Sequence, residues 1–253
     1  MSHQALDEAL RIIDENQRNG STVRLLGGIA VYYHSPTARQ QQFTRDYNDL
    51  DFLGLSSQTK TIKSVMKKLE YNAFERFNAI HGSKRLIFFN EAKRIRVDFL
   101  LDFFEMCHKL DFRARLGLDP VTLSVSDLLL TKAQIVEITE KDLMDIALLL
   151  LDHEVCDRNE HDKINGKYIA QLLANDWGLH KTFNTNMEKV VNWIDEKKLG
   201  SQNAAIIRAR IAEMKKFVDN EPKTMRWKAR SLIGEKIPWY QLPEEPMRDF
   251  IQL

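Results

Sequence analysis

The sequence predicts an α/β protein, a mixed β-sheet flanked by helices and followed by an α-helical C-terminal domain. Three observations predict it. Amphipathic helical stretches alternate with short apolar runs as far as RIRVDFLL, residues 94–101. Beyond Asp119-Pro120 the pattern turns helical, with no convincing strand. Three acids, Asp49, Asp51 and Asp98, emerge from the strand-like runs themselves. Helices interleaved with strands imply an α/β sheet, and the change of character divides the chain into residues 1–120 and 121–253.

The elements follow in order. Ala5, Leu6, Ala9, Leu10, Ile12 and Ile13 share one side of a helix over residues 4–17, which Asn19-Gly20 ends. VRLL (23–26) is a short buried strand, Gly27-Gly28 a turn, and IAVYYH the start of a helix. The polar SPTARQQQFTRDYN is a loop that leads into the strand DLDFLGL. Ser56 or Ser57 caps a helix to about residue 70, with Ile62, Val65, Met66 and Leu69 on one face. YNAFERF, KRLIFFN and RIRVDFLL are then three strands, the last two forming a hairpin. Downstream, Thr139 and Asp142 form a capping pair for a helix whose stripe is Leu143, Ile146, Ala147 and Leu150. The proline-punctuated tail from Ile237 wraps the surface.

Composition narrows the function classes. Of 253 residues, 43% are hydrophobic and 29% charged, as in soluble globular proteins. No apolar run nears the roughly 18 residues of a membrane helix, and the N-terminus lacks the order of a secretory signal, so a cytoplasmic protein is expected. The 37 basic and 36 acidic residues leave a formal charge of +1, which exerts no global pull on nucleic acid. Cys107 and Cys156 have no paired spacing, and His153, Cys156 and His161 match no common zinc signature. The run containing Lys215, Lys216, Lys223, Arg226, Trp227, Lys228 and Arg230 interleaves basic residues with an aromatic. That pattern suits a solvated helix face and also an RNA-contacting one.

The acids carry the chemistry. Residues i and i+2 of a strand point to the same face, so Asp49 and Asp51 stand side by side and repel each other. In RIRVDFLL, Arg96, Asp98 and Leu100 share a face. A magnesium ion, a hard cation held by carboxylates and phosphate oxygens, would supply the missing positive charge. Glycines at Gly27-Gly28 let backbone approach a phosphate at a helix N-terminus. Two acids on one strand, a third on a later strand and a glycine turn upstream are the parts that two-metal phosphoryl transfer requires.

LLGGIAVYYH, TRDYNDLDFLG and RIRVDFLL together resemble the DNA polymerase beta-type nucleotidyltransferase superfamily, closest to its antibiotic-modifying and abortive-infection toxin branches. The resemblance covers residues 23–102 and extends to DLLLTKAQIVEITEKDLMDIALLL. It implies a nucleotidyltransferase-type sheet and magnesium-dependent transfer of a nucleotide from a nucleoside triphosphate, such as ATP, to an acceptor hydroxyl or phosphate. By resemblance, Asp49 and Asp51 bind two magnesium ions, and Asp98 binds the one that activates the acceptor. Gly27 and Gly28 hold the triphosphate, Arg45 and Lys132 or Lys141 meet its phosphates, and Asp142 or Asp145 positions a substrate or partner group. The acceptor is a small molecule, an RNA end or a protein side chain. The alternative is a nucleotidyltransferase-fold protein without turnover, such as one half of a toxin and antitoxin pair.

Overall fold

The computed structural model describes residues 2–43, 45, 47, 49–197 and 199–242. Helix α1 (Ser2–Arg18) precedes strand β1 (Val23–Leu26) and helix α2 (Gly27–His34); β2 (Asp49–Gly54) and α3 (Thr59–Lys68) follow. Then come β3 (Asn72–Ala73), α4 (Glu75–His81), β4 (Arg85–Asn90) and β5 (Ile95–Leu101). A small hairpin of β6 (Phe103–Glu105) and β7 (Lys109–Asp111) leads into α5 (Val125–Ala133) and α6 (Glu140–Asp152). The two-residue strands β8 (Val155–Cys156) and β9 (Ile164–Asn165) precede α7 (Gly166–Asn175), α8 (Trp177–Glu196), α9 (Ser201–Asn220) and α10 (Met225–Ile233).

The main sheet has the order β1-β2-β5-β4-β3. Only β2 and β5 run parallel; the other pairs are antiparallel, so the sheet is mixed as expected. One face is apolar. Phe52 stacks on Phe99 at 5.1 Å between ring centres, and Phe88 meets Phe99 edge-on at 5.9 Å. The alternation that buries these rings turns Asp49, Asp51, Arg96 and Asp98 to the opposite face.

After Pro120 the chain lies along the free edge of β1, with Leu25 N donating to Val121 O and Leu123 N to Leu25 O. It then enters the helices, and buried apolar side chains form one continuous core from Ala5 to Val218. Among the described residues no helix is long and apolar enough to cross a membrane.

Several local expectations are corrected. YNAFERF is a strand only at Asn72-Ala73; Glu75–His81 is helical. The buried Asn78 on that helix donates from its amide to Ile87 O (2.9 Å) and accepts from Ile87 N (2.8 Å), replacing a further strand at the edge of β4. Neither Ser56 nor Ser57 caps α3 with its side chain; a 3-10 turn over Ser56–Gln58 leads into it. The hairpin β6-β7 and the pair β8-β9 escape the sequence reading because their runs are two or three residues long. The Thr139/Asp142 capping box is present. Thr44 and the tail beyond Leu242 lie outside the described residues.

Candidate active site

Strand register builds the site. Leu26, the last residue of β1, lies opposite Asp51, and Asp51 lies opposite Asp98 on the parallel neighbour β5. Asp49 lies opposite Arg96. All three predicted acids therefore sit on one face of two adjacent strands. Their surroundings differ. Asp49, at the strand entrance, is half exposed, with Arg96 Nε 3.1 Å from its Oδ1. Asp98 is buried and held by Arg85, whose Nε and Nη2 approach its two oxygens at 2.5–3.1 Å. Asp51 sits between them. Burial, then the nearby Asp98 and Asp49 carboxylates, push its carboxyl up to about 7, against the opposing pull of Lys132 and Arg96.

The glycine turn is close to the acids. Helix α2 begins at Gly27 itself, whose φ is +73°, and a Cβ there would stand 2.5 Å from Asp51 Oδ2. Only glycine combines that backbone with that approach. A Cβ on Gly28 would collide with the Arg45 guanidinium and crowd Tyr47. Gly28 thus seats Arg45, which lies 4.8 Å from the Tyr47 ring centre.

Two of the three predicted phosphate-binding cations are engaged within the protein. Arg45 Nη2 donates to Asp145 (2.6 Å), and its Nη1 to the Lys141 carbonyl (3.3 Å). Lys132 Nζ lies 2.8 Å from Asp142 and 2.9 Å from Asp145. Burial opposes the Lys132 charge, but Asp145 and Asp142 outweigh it and raise the lysine's pKa. Lys141 is exposed, and its carbonyl accepts from Arg45. Asp142 and Asp145 thus serve as partners for Lys132 and Arg45. Asp102, four residues past Asp98, is a strand exit: its φ is +65°, and its carboxylate accepts from Ser56 N at 3.0 Å.

Arg85 was not foreseen as a site residue. Its signal was available only through register: Ile87 lies opposite Asp98, so Arg85 is its diagonal neighbour on the same face.

Among the described residues no three carboxylate, histidine or cysteine side chains are arranged to hold a metal ion. Arg85 and Arg96 are ion-paired with two of the acids, Asp98 and Asp49. The donor chemistry nonetheless suits a hard divalent cation: oxygen ligands only, with Asp51 short of positive charge. No family model, curated protein or solved structure matches the chain.

Proposed function

We propose that the protein is a magnesium-dependent nucleotidyltransferase that moves a nucleotide from a nucleoside triphosphate to an acceptor hydroxyl. The carrying observation is the Asp51 and Asp98 pair across parallel strands, with Gly27 backbone against the Asp51 carboxylate. In this reading Asp49, Asp51 and Asp98 hold the metal, which when bound neutralises charge on the triphosphate. The chain does the rest. Gly27 brings backbone to the phosphates, and Arg96 and Arg85 orient the outer acids. Arg45 and Lys132 define the wall on the helical side.

The reaction balances without a covalent protein intermediate. The acceptor oxygen bonds to the α-phosphorus as the bond from that phosphorus to the bridging oxygen breaks. Pyrophosphate leaves with the electron pair, and the acceptor proton passes to the Asp98 carboxylate. Positioning and electrostatic stabilisation dominate such a step.

The test is thermal stability with each nucleoside triphosphate, in magnesium and in chelator, for wild type and Asp51→Asn. A magnesium-dependent rise that the variant lacks supports the assignment, since a ligand of the folded state raises its apparent stability. One observation favours a second reading, a binding module without turnover: Asp98, Asp49, Lys132 and Arg45 all have internal ion partners. That reading gains if no nucleotide shifts the melting temperature and none is transferred.

A further inference from the structure

A cavity of about 580 Å³ lies away from the acids, between the start of α8, helix α10, the segment 238–241 and the β6-β7 turn. Three of the chain's four tryptophans line it, Trp177, Trp227 and Trp239, together with Tyr240. All four rings are partly exposed. Trp177 and Trp239 meet edge-on at 6.2 Å, Trp239 and Tyr240 at 5.2 Å, and the Arg230 guanidinium lies 4.8 Å from the Trp177 ring centre. The wall is built with care for close approach. A Cβ on Gly178 would stand 2.5 Å from the Trp239 carbonyl, and Gln241 N donates to Cys107 O at 3.0 Å, so the 238–241 segment is pinned on both sides.

Charge in this cavity is one-sided: Lys109, Arg226 and Arg230 face a single acid, Asp176, which already caps α8 by accepting from Leu179 N. The overall charge of +1 conceals this local excess. A second cavity of about 370 Å³ shares Lys109 and Gln241 with the first. Its lining continues through Lys84, 3.9 Å from Glu105, to Arg85, the residue that grips Asp98, and includes the acids Asp102 and Glu105.

We infer that this aromatic and basic groove holds a single-stranded nucleic acid whose end is the acceptor, reaching Asp98 through the Lys109, Lys84 and Arg85 side of the adjoining cavity. The inference rests on the nucleotidyltransferase reading for the role of acceptor. Partly exposed aromatic rings beside arginines stack unpaired bases regardless of sequence, while the basic rim follows the phosphates. A duplex, with its bases already stacked, offers nothing to these rings.

Fluorescence anisotropy with a labelled oligoadenylate RNA of about 12 nucleotides tests it, without magnesium or triphosphate, on the full chain. The expected result is binding that weakens steeply between about 50 and 200 mM salt. Tyr240→Ala should weaken it roughly 10-fold or more by removing a stacking face. Arg226→Gln, at an exposed position, should lower the salt slope by about one. Overturning results are no binding, equal affinity for a duplex of the same length, or equal displacement by a polyglutamate peptide, which would mark a surface selective for charge alone. RNA binding with no nucleotide transfer to any acceptor would overturn the nucleotidyltransferase reading and leave the groove standing. Transfer to a small hydroxyl compound with no RNA binding would do the reverse.

Discussion

Asp51 is a partly buried acid and Asp145 a fully buried one, and the protein treats them oppositely. Asp145, on α6, is gripped by Lys132 and Arg45 and bridges α5, α6 and the segment before β2. Asp51, on β2, faces Asp49 and Asp98, and its carboxyl is pushed up to about 7 by burial and by these acids. A buried acid with two cations is an anchor, since breaking such a pair leaves an uncompensated charge. A partly buried acid among acids has no such grip, and perturbed groups of this kind concentrate where chemistry is done. The comparison separates residues that the motif alone groups together: Lys132 and Arg45 belong with the anchor, the three aspartates with the site.

The strongest test of this division is Lys132→Met. It strips a cation from Asp142 and Asp145 and is expected to cost about 3–5 kcal/mol in denaturant unfolding. A stable variant that had lost only nucleotide binding would move Lys132 into the site. Next in size, Gly27→Ala places a Cβ against Asp51 Oδ2 at a φ of +73° and is expected to cost about 2 kcal/mol together with nucleotide binding.

Asp51→Asn should act in the other direction. Because the native carboxyl of Asp51 titrates at about 7, above its ordinary value, the native state holds a proton that the unfolded chain releases near pH 4. Wild type therefore loses stability as pH rises from about 4 to about 7, and the loss is constant above that. The variant should be more stable by about 1–2 kcal/mol at pH 8 and show little gain at pH 4, as thermal melts would show. A gain independent of pH would mean that Asp51 is not the strained group. The smallest effect belongs to Lys141→Ala, which removes an exposed side chain and keeps the carbonyl that Arg45 uses. A change within about 0.5 kcal/mol is expected, and a larger one would place Lys141 in the anchor.

Much of the candidate site is legible in the sequence. The spacing of Asp49 and Asp51 implied a shared strand face, Asp98 a second strand, and Gly27 a turn needing glycine. Local patterns encode such features, because alternation and turn chemistry act over a few residues. The same patterns misread Glu75–His81, where aromatic content suggested a strand and the Asn78 bonds to Ile87 favoured a helix.

By itself the sequence determined which side chains share a face, where the capping box at Thr139 begins a helix, and that acids would cluster short of positive charge. Only the tertiary structure decided which cations meet which acids. Arg85 reaches Asp98 through the register of the β4-β5 hairpin, and Lys132 meets Asp145 through the packing of α5 on α6. The tryptophan groove likewise gathers residues from 107 to 241. Charge balance depends on distances of a few ångströms between elements far apart in the chain, and only folding sets those distances.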